Sequence, residues 1–98
     1  MANKDPVLSF KEFCGKPGSL GGRNNFHMRF ANNILGDFER EGSVAYKRCM
    51  SAHPDEFGKL STELRGRTDY YSFEYLKKLY EAYKLMRRYA ETDLELFE

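Results

Sequence analysis

Cys49 and His53 stand four residues apart, the spacing at which two side chains meet on one helix face. With Cys14 and His27 they are the chain's whole supply of thiols and imidazoles. A thiol beside an imidazole is the start of nucleophilic catalysis, in which the base takes the proton and a third group orients the base. Here Pro54 bends the chain directly after His53 and no third group is indicated, so no such dyad is expected. His27 falls on the apolar side of its helix, three residues before Phe30, and reads as a partly buried, hydrogen-bonded histidine. The same four residues are all zinc-ligand types, but they are separated by 12, 21 and 3 intervening residues. Structural zinc sites start from a tight cysteine pair, which is absent, and no metal site, cofactor or enzymatic activity is expected. Nothing in the spacing supports a Cys14–Cys49 bridge.

Gly15 to Gly22 is glycine-rich and holds Lys16, as a phosphate cradle would. It lacks the Gly-Lys-Ser/Thr order and a preceding strand, and Pro17 removes a backbone donor, so it reads as a connector. Basic residues gather elsewhere. Arg65 and Arg67 cluster at a helix end, and Lys77, Lys84 and Arg88 form a one-sided stripe spaced by seven and four, with Lys47 and Arg48 as a further pair. Such stripes attract phosphates or acidic partners even in a chain of near-zero charge. A helix-turn-helix across Ala52-His53-Pro54 is opposed by Asp55 and Glu56, which would repel phosphate from the second helix. Tyrosine is the unusual feature: Tyr70, Tyr71, Tyr75, Tyr80, Tyr83 and Tyr89 crowd into twenty residues. Tyrosine combines large contact area with a hydroxyl and is enriched where proteins meet. Tyr75 and Tyr83 suit a helical core. Tyr80, Tyr89 and Arg87, an arginine within the apolar arc, are expected to anchor a protein partner. Either Arg87 snorkels or it marks a helix face closed only by another chain.

These groups need elements to position them. Val7, Phe10 and Phe13 recur every three residues, marking a short helical arm held on the body by Phe10 and Phe13. From Asn25, Phe26, Phe30, Ile34 and Phe38 drift along one face of an amphipathic helix that stops near Gly42. Gly36 inside it costs roughly 1 kcal/mol unless another group approaches closely. Ser43 can cap a second helix over 44–51. Pro54 suits the first turn of a third, Asp55 and Glu56 match its positive end, Phe57, Leu60 and Leu64 supply its stripe, and Gly66 closes it. The last helix runs from Ser72 to about Ala90 on Tyr75, Leu79, Tyr83 and Met86, widened by Phe73, Leu76 and Tyr80. Glu74–Lys78 and Lys77–Glu81 are spaced for pairing along it. The spacing predicts an all-α compact bundle of about four helices. Its parts are an arm and Gly/Pro-rich loop over 1–24, a helical domain over 25–92, and an acidic tail over 93–98 that frays.

The chain has 98 residues, too few for a second core, and sixteen basic against fifteen acidic residues leave a charge of +1. That balance excludes a polyacidic nucleic-acid mimic and a uniformly polybasic coat. No apolar run is long enough to span a membrane and there is no export signal, so two free thiols in a reducing cytoplasm are expected.

The stretch from Phe30 to Gly42, with Asp37-Phe38-Glu39-Arg40-Glu41-Gly42 at its end, is followed by His53-Pro54-Asp55-Glu56-Phe57-Gly58-Lys59-Leu60. A helix ending in an acidic-Gly turn, then a Pro-initiated helix with an aromatic and a leucine, resembles short helical proteins of tailed bacteriophages, including small-terminase-like ones. The resemblance covers about a third of the chain and implies a non-enzymatic adaptor on a machine that handles nucleic acid, in the host cytoplasm. The chain departs from small terminases in lacking an N-terminal DNA-binding helix-turn-helix. The expected function is therefore a helical adaptor anchored by Tyr80, Arg87 and Tyr89 and steered by Arg65, Arg67, Lys77, Lys84 and Arg88. The alternatives are an inhibitor of a host enzyme or defence complex such as an anti-CRISPR, and direct DNA binding through Arg65 and Arg67. Homo-oligomerisation is left open.

Overall fold

The computed structural model describes residues 5–15, 26–40, 42–69 and 72–97. The Gly/Pro-rich connector at 16–24 lies outside them. Among the described residues five helices follow one another: α1 (Phe10–Gly15), α2 (Phe26–Arg40), α3 (Val44–Ala52), α4 (Pro54–Arg65) and α5 (Phe73–Arg87), then a 3-10 turn over Asp93–Leu96. There is no strand among the described residues, and the fold is the all-α bundle that the periodicity predicts.

Local chemistry sets the helix boundaries. The Ser43 hydroxyl accepts from the Tyr46 amide at 3.1 Å and donates to the Asp37 carboxylate at 2.8 Å. The Ser43 amide reaches the other Asp37 oxygen at 3.1 Å, so one serine caps α3 and ties it to the end of α2. Burial raises the Asp37 pKa, and these hydrogen bonds oppose the rise. Any Cβ at Gly42 would overlap Asp37 Oδ1, which fixes glycine at this turn. Pro54 opens α4, and Ser72 caps α5 through the Tyr75 amide at 3.1 Å.

Two aromatic clusters fill the interior. Phe13 of α1 is fully buried and packs on Tyr83 of α5 at 4.9 Å and on Phe26 and Phe30 of α2 at 5.8 and 5.9 Å. Phe38, Tyr46 and Phe57 join α2, α3 and α4, with Tyr46 and Phe57 5.5 Å apart. The short arm is thus part of the core, through Phe13.

The chain ends differ from expectation. The acidic tail does not fray over its described residues: Leu96 is fully buried and its carbonyl accepts from Asn33 Nδ2. The Asp5 amide donates to the Glu91 carbonyl at 2.8 Å, and the Asp93 amide donates back to the Asp5 carboxylate at 2.7 Å. α5 stops at Arg87 because the next amides tighten onto carbonyls three residues back, Arg88 to Leu85 at 3.2 Å and Tyr89 to Met86 at 3.0 Å.

Candidate functional site

Arg87 was expected to anchor a partner, and the structure puts it to another use. Its side chain has no exposed surface. The guanidinium donates to the Ala90 carbonyl at 2.6 Å and to the Asp5 carbonyl, and its Nε lies 3.5 Å from Asp93 Oδ1. Three acceptors in different directions suit the planar fork of arginine, which here clasps the N-terminal arm to the C-terminal turn. Tyr83 and Tyr80 extend that clasp. Leu8 donates its amide to the Tyr83 hydroxyl at 2.9 Å, and the Tyr80 hydroxyl donates to the Leu8 carbonyl at 2.6 Å.

Tyr89 is also engaged within the chain. Its hydroxyl lies 2.6 Å from His53 Nε2, and Arg48 donates to its carbonyl at 3.2 Å, so it fastens the C-terminal turn to the α3–α4 junction. His53 therefore faces Tyr89 and, at 3.8 Å, Glu56. Cys49 is fully buried, and burial, aided by the charge of Glu56, pushes its thiol pKa up to about 12. A thiol held protonated is the reverse of what a nucleophile needs. Both cysteines are free, and no group of three or more metal-ligating side chains lies together among the described residues. His27 is buried beside Phe13, and burial lowers its pKa, opposed by the backbone of Cys14 next to its ring.

The basic residues divide. Arg65 is exposed in the last turn of α4. Arg67 is committed to Asp69, at 2.9 and 2.5 Å, and to Glu74 at 3.5 Å. That guanidinium and the Ser72 hydroxyl hold the Asp69 carboxyl well below the usual carboxylate range. Lys77, Lys84 and Arg88 do share the outer ridge of α5, all exposed. Lys78 bridges to Glu63 of α4 at 2.9 Å, so the two helices are laced across rather than along α5.

The ridge has a hollow on each flank. Toward α4, a groove of about 370 Å³ has Leu60 and Leu85 as its floor. Glu56, Lys59 and Glu63 stand on its α4 wall, and Lys78, Glu81, Lys84 and Arg88 on its α5 wall. Toward α1, Phe10, Phe73 and Tyr80 make a smaller hollow of about 270 Å³. The Lys77 ammonium sits 5.3 Å over the Phe73 ring and that of Lys84 4.9 Å over Tyr80, both within cation–π range.

Phe73, read as part of the buried arc, is 65% exposed. It occupies the first position of α5, one residue after the Ser72 cap, where only the short α1 reaches it. The α4 wall was missed as well, because Glu56, Lys59 and Glu63 look like an ordinary solvated face until α5 is laid beside them.

The described residues thus form an all-α bundle with a mixed-charge groove on one side of α5 and an aromatic hollow on the other. No protein-family model matches the chain, and no curated protein or solved structure matches it.

Proposed function

We propose that this protein is a non-enzymatic helical adaptor that holds a segment of a partner protein in the α4–α5 groove. The observation that carries the reading is the groove itself: an apolar floor of Leu60 and Leu85 between walls that carry both signs of charge. A polypeptide presents apolar side chains together with both charges, whereas a phosphate backbone presents one, and Glu56 and Glu63 would repel it. The resemblance of 30–42 and 53–60 to small-terminase-like phage proteins supports a partner within a machine that handles nucleic acid. Lys84 and Arg88 steer that partner's acidic residues, and Leu60 and Leu85 receive its apolar anchor.

The test is comparative capture from a host lysate by the wild-type chain and by a Glu56→Lys/Lys59→Glu variant. Both positions are exposed on α4, so helicity is expected to hold. A protein retained by the wild type and lost by the variant supports the reading. Equal retention by both refutes it, as does a tight complex with duplex DNA whose affinity falls steeply with salt.

A further inference from the structure

The α1 flank of α5 carries a second surface. Phe73 is the most exposed large apolar side chain among the described residues, lying edge-on to Phe10 at 5.7 Å; Phe10 in turn lies edge-on to Tyr80 at 5.4 Å. Beside these rings runs a stripe of exposed charges: Glu74, Lys77, Glu81 and Lys84, spaced three, four and three apart. That spacing keeps them on one line along the helix, about 15 Å from end to end at 1.5 Å per residue.

The order of signs along this line is self-complementary. Acid, base, acid, base, met head to tail by its own copy, pairs every acid with a base. We propose that this face binds the same face of a second copy of the chain, the two α5 helices lying antiparallel about a twofold axis level with Leu79. Glu74 then meets Lys84 of the second copy and Lys77 meets its Glu81, each pair occurring twice. The twofold keeps both sets of Phe10, Phe73 and Tyr80 on the same side of the helix pair: the two Tyr80 lie near the axis, while each Phe73, about 9 Å from it, comes level with the Lys84 stem and Leu85 of the second copy. Parallel pairing in register sets like against like and is excluded by repulsion. A polyanionic occupant is disfavoured by Glu74 and Glu81, which alternate with the lysines. The stripe shares Glu81 and Lys84 with the α4–α5 groove, so pairing competes there with the proposed partner capture, but the Glu56 and Lys59 positions of the capture variant lie on α4 outside the stripe, and the two tests read different residues.

Sedimentation equilibrium over a concentration series reads the result directly. The wild-type mass is expected to rise from 11.5 kDa toward twice that value. Lys77→Glu and Glu81→Lys, each placing two like-charged contacts in the interface, are expected to weaken pairing at least tenfold, and the double variant to restore it. Phe73→Ser is expected to weaken it comparably while circular dichroism stays unchanged, since that side chain is mostly exposed. A mass that stays at 11.5 kDa up to about 1 mM, single variants that pair as well as the wild type, a double variant that does not recover, or assembly straight into a ring would each overturn the proposal.

Discussion

Replacing Arg87 with methionine tests whether this residue holds the fold together or faces outward to a partner. Methionine roughly fills the space of the stem, so the change removes the charge and the donors rather than the volume. Left behind are the Ala90 and Asp5 carbonyls and the carboxylate of Asp93, a residue only 8% exposed. Removing one partner of a buried ion pair costs about 3–5 kcal/mol, because the other charge stays buried with less to offset it. A small domain has only about 5–15 kcal/mol in all, and each kcal/mol moves the melting temperature of a chain this size by about 4–8 °C. Arg87→Met should therefore lower Tm by at least about 12 °C, followed by circular dichroism. Asp93→Asn in the same chain removes the stranded charge and should recover part of the loss, so the double-mutant cycle reports coupling between the two sites. Arg87→Lys should recover only part of the wild-type stability, since one ammonium cannot reach three divergent acceptors. A Tm within about 4 °C of wild type for Arg87→Met would refute the clasp and return Arg87 to the surface.

Burial lowers the pKa of His27, so the folded chain resists a proton that the unfolded chain takes up below its ordinary value of about 6.5. Its contribution is fully present above that pH and is lost as pH falls toward the lowered folded value. His27→Leu should flatten the decline in urea-derived stability between pH 7.5 and about 5.5. Glycines 36 and 42 should respond with opposite signs. Gly42→Ala drives a methyl into the Asp37 carboxylate and should cost about 1–3 kcal/mol through the bonds to Ser43, read as a lower urea midpoint. Gly36→Ala meets only the far end of the Arg40 side chain, at 3.0 Å, and should gain up to about 1 kcal/mol from helix propensity. Ser72→Ala should cost about 1 kcal/mol in the same assay, and Ser43→Ala more, because it also strips a donor from buried Asp37.

The parts of this fold that were legible in the sequence are those fixed by neighbours along the chain. Ser43 caps α3 and Pro54 opens α4 because capping and φ preference act within a turn. The apolar spine of α5 is readable because a helix buries one stripe whatever covers it. Arg87, an arginine within that stripe, reads from the sequence as an anchor for a partner. Its partners Ala90 and Asp93 are near in sequence, but the acceptor that makes its burial intelligible is Asp5, 82 residues away. The tail departs from expectation for the same reason: its 3-10 turn packs on α3 and α5, Asn33 of α2 binds the Leu96 carbonyl, and Asp93 is pinned by Asp5 across 88 residues. No local pattern encodes the meeting of two chain ends. Phe73 erred in the opposite direction, since a helical wheel assumes cover along the whole helix and α1 spans only six residues.

The large exposed apolar side chain of α5 among the described residues is Phe73, not one of the tyrosines. Tyr80, Tyr83 and Arg87 spend their polar groups on Leu8, Asp5 and the C-terminal turn, and Tyr89 spends its hydroxyl on His53. A group whose donors and acceptors are already satisfied inside the chain gains little by turning to a partner, because every new bond replaces an old one. The surfaces proposed for binding are therefore those whose groups carry fewer hydrogen bonds within the chain: the groove over Leu60 and Leu85 on one side of α5 and the exposed Phe73 ring on the other. Glu81 and Lys84 stand on the ridge between the two hollows, so on the proposed readings self-pairing and partner capture draw on the same two charges.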